Sequence, residues 1–257
     1  MPPRRSDVSR DQASGTSSVT RRSDVSRDHG ATGSRLTSLL LVLVVSCGLL
    51  YLAYPRLHAS LLYLPVDTAI NNYYKTRETP AGQLEGLQQR AQDSIEIYPH
   101  HRYREGLSLL YFLQAADMDK PLYVRRQAFE HSIAAAEASL DRAPAQPRAW
   151  LRVAQARAWL RYPPDEVIAA FKMAVYTGRV EPSMFMARLV LGLSYLPRMD
   201  AEGVAMMRDQ VLLAWQFQRR QVIRAIRNKE IRMAPLEQLL AGAHDGILEE
   251  IRNGAVR

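Results

Sequence analysis

A run of uncharged, mostly apolar residues at 36–54 limits how this chain can fold. It lies between Arg35 and Arg56 and contains no charged side chain. An α-helix rises about 1.5 Å per residue, so a helix of this length would cover most of a bilayer core of about 30 Å. Tyr51 and Tyr54 lie near its C-terminal end, where aromatic rings favour the membrane interface. The sequence therefore predicts one transmembrane helix at 36–54, in a single-pass membrane protein.

Two other interpretations of this run are a cleaved signal peptide and a buried core helix. A signal peptide usually has an apolar core of about 7–15 residues and a cleavage site with the pattern small-x-small. The run at 36–54 is longer, comes after a long N-terminal segment and is not followed by a clear site of that kind. We therefore expect an anchor that stays on the protein.

Arginines on either side of the run predict its orientation. Arg21, Arg22, Arg27 and Arg35 precede it closely, whereas Arg56 alone follows it closely. Positive charge is retained on the cytoplasmic side of a membrane. The N-terminus is therefore expected in the cytoplasm, and the C-terminal domain is expected outside it.

Residues 1–35 are expected to form a disordered cytoplasmic tail. The octapeptide RRSDVSRD at 4–11 recurs at 21–28, and small or polar residues predominate between the two copies. Such a composition buries too little apolar surface to fold. The duplicated motif is either a docking tag, a patch attracted to anionic lipid, or a local duplication of a tolerated linker.

Residues 55–80 are expected to be a juxtamembrane linker, and 81–257 a helical repeat domain.

Charge and cysteine content exclude several kinds of site. The chain has a net charge of +8, and residues 57–257 contain 26 Lys and Arg against 22 Asp and Glu, a net charge of +4. This excess is too small to predict nucleic-acid binding, although it suits contact with an acidic polymer. The only cysteine, Cys47, lies in the apolar run. The C-terminal domain therefore has no disulfide, zinc thiolate cluster or thiol nucleophile.

The C-terminal domain is predicted to be all-α. Apolar residues recur there at i, i+3 and i+4, and no stretch alternates convincingly in the manner of a strand. Prolines lie between the periodic segments, as expected if they mark helix starts, and Asp200 is a candidate N-cap. The helical runs are predicted at 81–98, 102–117, 121–142, 148–160, 165–177, 183–196, 201–228 and 235–252.

Helices of this length joined by short turns form antiparallel hairpins, and stacked hairpins form an α-solenoid. The spacing of several residues around 140–154 resembles the tetratricopeptide pattern across one repeat boundary. Arg157 departs from that pattern, which usually has an aromatic residue at its position. An all-helical bundle without repeats is the alternative. The residues expected to pack the repeats are Leu140, Pro144, Trp150, Ala154, Phe171 and Ala174.

The stretch 144–193 also resembles a narrower family, the VpsP-type proteins found near bacterial exopolysaccharide genes. The resemblance covers about one fifth of the chain and is carried by Pro144, Pro147, Ala149, Trp150, Leu151, Ala154, Ala156, Arg157, Glu166, Ala170, Ala174, Gly178, Glu181, Pro182, Arg188, Leu191, Gly192 and Leu193. It implies a bacterial inner-membrane protein with a periplasmic helical domain and an accessory role in polysaccharide assembly. The implied partners are envelope proteins, above all polysaccharide assembly components, and no catalytic residues are implied.

The candidate partner-binding side chains are arginines. Arg152 and Arg157 lie on the helix expected near the concave face of the repeats. Arg220, Arg224 and Arg227 lie at i, i+4 and i+7 on one helix face, where they would suit an anionic polymer, a lipid headgroup or an acidic partner. No familiar catalytic or cofactor motif occurs in the sequence. We therefore expect no catalytic residues, no cofactor and no metal site.

These observations favour a non-enzymatic adaptor that is tethered to a membrane and holds partner proteins. The expected pathway is exopolysaccharide biosynthesis or export, with another envelope assembly pathway as an alternative. A second alternative is a module that binds an anionic glycan or lipid through the arginines at 220–227. A helical enzyme that cleaves glycans is less favoured, because no close pair of carboxylates is apparent. The adaptor interpretation predicts that replacing Arg152 or Arg157 weakens partner capture without unfolding the domain.

Overall fold

The computed structural model describes residues 29–76 and 78–256, and every regular element within them is helical. The predicted all-α class is confirmed for this part of the chain, whereas the duplicated motif at 4–11 and 21–28 lies outside the described residues. Three single 3₁₀ turns, at Ala81–Gln83, Pro182–Met184 and Leu196–Arg198, accompany the α-helices. The α-helices are α1 (His29–Thr76), α2 (Leu84–Ile97), α3 (His101–Ala116), α4 (Leu122–Leu140), α5 (Pro147–Trp159), α6 (Pro164–Tyr176), α7 (Phe185–Tyr195), α8 (Ala201–Arg227), α9 (Met233–Leu240) and α10 (Asp245–Val256).

The described chain divides after Tyr51 into two units. In the N-terminal unit, the first part of α1 exposes every side chain from Ser38 to Tyr51. The part of α1 beginning at Ser38 is long and apolar enough to cross a membrane, and its most apolar window has a mean hydropathy of 2.1 with no residue buried. Such a surface differs from that of a core helix in a water-soluble protein, which buries its apolar side.

The second unit, from Leu52 onward, begins with the remainder of α1, and here the structure corrects the expected linker at 55–80. The helix passes through Pro55 and Pro65 and ends at Thr76. A proline inside a helix removes one backbone hydrogen bond and crowds the preceding turn, so α1 continues through two unfavourable positions. Contacts with the rest of the unit offset this cost, because Ala59, Tyr63 and Val66 are buried in a cluster with residues of α2 and α3.

Helices α2 to α6 pack chiefly against their immediate neighbours along the chain, and α7 packs against α8. The last helices, α9 and α10, lie against α8 and each other. Packing between consecutive antiparallel helices is common to solenoids and to simple up-and-down bundles. The predicted run at 235–252 is divided into α9 and α10 around Gly242, whose φ of 78° is a backbone conformation that glycine adopts readily.

Several helix ends follow from local sequence. Pro147 and Pro164 occupy the first position of α5 and α6, where the missing N–H costs little. Asp200 caps α8 as predicted, because its carboxylate accepts a hydrogen bond of 2.9 Å from the backbone N–H of Gly203. Within α8, Gln218 leaves helical geometry, with φ −138° and ψ 35°. The arginine-rich end of this helix therefore begins just after a kink.

Arg188 joins three helices inside the largest apolar cluster. Its side chain is fully buried and donates to the carbonyl of Ala174, at 2.5 Å, and to Oε1 of Gln210, at 3.0 Å. The carbonyl of Ala174 belongs to the last turn of α6, where the helix dipole favours a cation. Burial lowers the pKa of Arg188 to about 10, so the guanidinium is still charged at neutral pH.

Candidate partner-binding surface

The residues expected to pack the repeats lie mostly in the core. Leu140, Ala154, Phe171 and Ala174 are buried in the largest apolar cluster, and Trp150 packs against it. The indole N–H of Trp150 donates to the carbonyl of the exposed Pro144 at 2.8 Å, which joins the start of α5 to the preceding turn. Phe171 lies against Gly192 of α7, where a Cβ would come within 2.9 Å of its ring. Any packed helix pair needs such burial, so the tetratricopeptide-like arrangement stays a prediction.

The structure corrects the expectation that Arg152 is a partner-binding side chain. Arg152 is only 4 % exposed. Its guanidinium donates to the backbone carbonyl of Glu105 at 2.8 Å and lies 3.4 Å from the Glu105 carboxylate. A buried charge is tolerated when it is paired and hydrogen-bonded. Arg152 therefore joins α5 to α3 and is not available to a partner.

Arg157 also holds helices together, although part of it reaches the surface. Its Nη2 donates to Glu137 of α4 at 2.8 Å, and its Nη1 lies 3.8 Å from the carboxylate of Glu166 on α6. The guanidinium also lies 5.8 Å from the ring centroid of Tyr162. An arginine with two carboxylate neighbours has little charge left for an acidic partner.

Arg220, Arg224 and Arg227 form an exposed strip on the second part of α8, and we call it the basic strip. Arg227 donates to the carbonyl of Gly254 on α10 at 2.7 Å. Among the described residues, Arg220 and Arg224 have no ion-pair partner, whereas the adjacent Arg219 pairs with Glu250 at 2.7 Å. The three predicted arginines thus share one face, and two of them keep an uncompensated charge.

A groove that the sequence interpretation missed lies where α4 begins and α5 ends. It has a volume of about 460 Å³. We call it the Trp159 groove. Its lining residues are Leu122, Arg125, Arg126, Phe129, Trp159, Leu160 and Arg161.

Exposed apolar side chains dominate this groove and its edge. Leu122 is 78 % exposed and Trp159 58 % exposed, and the neighbouring Tyr123 is exposed as well. Trp159 stacks on Phe129 with ring centroids 5.7 Å apart and the planes inclined by 15°. An aromatic side chain held by a stacking partner is a rigid platform for contact. Clustered exposed apolar side chains of this kind mark interaction sites more often than isolated ones do.

The electrostatics of the Trp159 groove are positive. Three arginines and no acidic residue line it. Arg125 is buried, donates to the carbonyl of Ala115 at 2.9 Å and lies 5.6 Å from the Trp159 ring centroid. Arg126 forms an exposed pair with Glu130 at 3.2 Å. The exposed Arg161 has no ion pair within the part of the chain that the structure describes.

A sequence signal for this groove does exist. Leu122, Phe129 and Ile133 are spaced i, i+7 and i+11 on α4 and therefore share one face. Phe129 and Ile133 are buried, whereas Leu122 lies on the same face about two turns before Phe129 and is exposed. Periodicity identifies such a face. It does not show that the neighbouring helix leaves the first turn of α4 uncovered.

No family model, curated protein or solved structure matches the chain. Within residues 29–76 and 78–256, no group of three or more His, Cys, Asp or Glu side chains is arranged to hold a metal ion. A proposed function therefore has to rest on the geometry of the Trp159 groove and the basic strip.

Proposed function

We propose that the protein is a membrane-anchored helical-repeat adaptor, without enzymatic activity, that assists exopolysaccharide biosynthesis or export. In this proposal α1 anchors the chain in the bacterial inner membrane, the N-terminus is cytoplasmic and the helical domain is periplasmic. The long apolar helix, the arginines before it and the resemblance of 144–193 to VpsP-type proteins support this assignment. A stack of helical hairpins offers extended surfaces to partner proteins.

The Trp159 groove is the observation that carries the adaptor proposal. The groove combines an exposed tryptophan, exposed leucine and tyrosine side chains and three arginines. Tryptophan, tyrosine and arginine are the residues that most often dominate the binding energy of protein interfaces. The occupant is a segment of an envelope assembly protein, with an apolar side chain to contact Trp159 and flanking carboxylates to face Arg126 and Arg161.

Site-specific photocrosslinking in intact cells tests this proposal. A photoreactive amino acid replaces Tyr123, beside the groove, in the full-length protein. A control protein has it at Val180, an exposed apolar position between α6 and α7. We expect one protein adduct from position 123, identified as a component of exopolysaccharide synthesis or export, and no such adduct from position 180.

A pair of matched variants shows whether the groove itself is used. Leu122→Glu adds a carboxylate beside the groove's arginines and should abolish the adduct from position 123, because it repels the acidic partner and removes an apolar contact. Val180→Glu introduces the same change elsewhere and should leave the adduct intact. If Leu122→Glu leaves the adduct unchanged, the partner does not bind in the Trp159 groove. If the adduct contains a protein of another envelope assembly pathway, the exopolysaccharide assignment is refuted.

A second candidate function is the binding of an anionic glycan or lipid at the basic strip. The two uncompensated charges of Arg220 and Arg224 favour it. Binding of this kind weakens as salt screens exposed charges. It predicts that an acidic polysaccharide binds the purified protein at low salt and that Arg220→Gln with Arg224→Gln abolishes this binding. If the polysaccharide still binds the double variant, or still binds at high salt, the basic strip is not the binding site.

A further inference from the structure

A cleft of about 180 Å³ lies between the second part of α1 and the turn that connects α2 to α3. Arg56, Ser60 and Asp67 contribute to it from α1, and His100, Arg102 and Tyr103 contribute from the turn and the start of α3. Ser60 and Tyr103 share a hydrogen bond of 2.9 Å between their hydroxyl groups. The cleft thus has a polar lining with both hydroxyl and guanidinium groups.

The two arginines and one aspartate that line this cleft sum to one positive charge. Arg102 pairs with Asp67 at 2.5 Å, and Arg56 is exposed and has no ion pair among the described residues. Burial lowers the pKa of His100, and the positive charges of His101, Arg56 and Arg102 lower it further. The surroundings of His100 therefore favour its uncharged form. A single positive charge complements one phosphodiester, which carries one negative charge.

The adjacent face of α1 is apolar and uncovered. Leu57, Leu61 and Leu64 are spaced i, i+4 and i+7, and each is more than half exposed. Leu64 also lines the cleft. The same helix buries Tyr63 and Val66 on its other side against α2 and α3. A row of exposed leucines beside a cationic cleft suits a ligand with an apolar chain and an anionic head, rather than a water-soluble anion.

The position of this surface in the sequence favours the membrane as the source of that ligand. Arg56 comes two residues after the apolar run at 36–54, and the leucines follow within ten residues of its end. Arginine side chains near the end of a spanning helix extend toward the phosphate level of the lipid headgroups. Anionic lipids attract such basic side chains at close range.

We propose that this cleft is a binding site for an anionic phospholipid. The lipid phosphate accepts hydrogen bonds from Arg56 and Arg102, and one acyl chain leaves the bilayer to lie along Leu57, Leu61 and Leu64. The inference rests on the proposed membrane anchoring of α1. It adds a lipid ligand and its contact residues to a segment that the sequence interpretation treated as a linker.

Native mass spectrometry of the full-length protein tests the site. Detergent-purified protein receives phosphatidylglycerol and phosphatidylcholine in equal amounts, and the lipid that remains bound is measured. We expect phosphatidylglycerol to be retained preferentially and Arg56→Gln to lower its retention about fivefold. Arg198→Gln removes one exposed arginine from the turn Leu196–Arg198, away from the cleft and from the basic strip, and should leave retention unchanged. Equal losses in the two variants, or equal retention of both lipids, would overturn the proposal.

One further measurement distinguishes recognition of the acyl chain from recognition of the phosphate. Another tests the membrane anchor independently of the lipid site. Leu61→Ser should lower phosphatidylglycerol retention, and glycerol phosphate should compete poorly because it lacks the acyl chain. Effective competition by glycerol phosphate would indicate a site for soluble phosphate esters and refute the proposal that the ligand is a phospholipid. Extraction of membranes with alkaline carbonate tests the anchoring independently. Release of the wild-type protein would refute the membrane anchor. If the protein stays in the membrane but shows no lipid preference, only the lipid site is refuted.

Discussion

Gly106 of α3 shows how one missing side chain positions a neighbouring helix. A Cβ built on this glycine would lie 1.7 Å from the hydroxyl oxygen of Tyr63 and 3.0 Å from Cδ1 of Ile70, both on α1. The Tyr63 hydroxyl donates to the carbonyl of Arg102 at 3.3 Å. The aromatic ring of Tyr63 therefore packs directly on the backbone of α3, which only glycine allows at this position.

We expect Gly106→Ala to destabilise the protein by about 1–3 kcal/mol, because the new methyl group displaces Tyr63 from a packed core. Gly86→Ala is the matched control, because nothing lies within 4 Å of its Cβ position, and it should stabilise α2 by about 0.5–1 kcal/mol. Urea unfolding of both variants measures these changes. Adding Tyr63→Phe to Gly106→Ala should restore part of the loss, and equal midpoints for the two alanine variants would contradict this packing.

Arg152 and Arg220 are both arginines of the predicted binding set, but their surroundings predict that only the loss of Arg152 destabilises the protein. Arg152→Met should destabilise the protein by about 2–4 kcal/mol, because it leaves the carbonyl and carboxylate of Glu105 without a buried partner. Arg220→Met should change the free energy of unfolding by less than about 0.5 kcal/mol, because the residue is exposed. Unfolding curves in urea distinguish the two, and a neutral Arg152→Met would show that its ion pair contributes nothing.

At the scale of the element, the start of α8 is held to α6 by a small charged cluster. Lys172 of α6 donates to Asp200 at 2.7 Å and to Glu202 at 2.6 Å, and the Tyr176 hydroxyl donates to Glu202. Hydrogen bonding to Lys172 lowers the pKa of Asp200 and is also the main cause of the lowered pKa of Glu202. Asp200 caps α8 as well, so one cluster joins helix initiation to helix packing.

These lowered pKa values predict a pH dependence that Lys172 controls. A carboxyl group whose pKa is lower in the folded state stabilises the fold above its unfolded pKa, and this contribution disappears as the pH falls through the folded pKa. Lys172→Met should therefore lower the urea midpoint at neutral pH, and the gap from the wild type should shrink at about pH 3 or below. A gap of constant size at every pH would contradict this contribution of the cluster.

At the scale of the whole molecule, the second part of α1 belongs to the helical domain. Ala59, Tyr63 and Val66 share an apolar cluster with Leu87 of α2 and Leu110 of α3. A fragment of residues 52–257 should therefore unfold cooperatively, whereas a fragment of 78–257 should lose at least about 3 kcal/mol, because part of its core becomes exposed. Circular dichroism in urea and binding of an apolar dye compare the two. Fragments of equal stability would show that α1 contributes nothing to the domain.

Local pattern accounts for much of the helical architecture. The positions of Pro147 and Pro164 and the cap formed by Asp200 were readable from sequence, because each acts through the backbone within one turn of itself. The helix through Pro55 and Pro65 was not, because its continuation depends on contacts with α2 and α3. The same distinction applies to Arg152, whose helical position is local but whose burial depends on Glu105, 47 residues away.

The candidate surfaces show the same division. The basic strip was predictable, because the spacing of Arg220, Arg224 and Arg227 along one helix is sufficient to align them. The Trp159 groove was not, because it requires the start of α4 to meet the end of α5. The α1 cleft likewise needs Arg56 and Arg102 to approach from separate helices.

The sequence by itself determined the all-α class, most helix limits and a segment apolar enough to cross a membrane. These properties depend on short-range periodicity, capping and hydrophobicity, which neighbouring residues set together. Only the tertiary structure decided that α1 continues into the domain, that Arg152 is buried and that Trp159 and Arg56 border open clefts. Burial and exposure arise from contacts between segments distant in sequence, and one helix's periodicity does not contain that information.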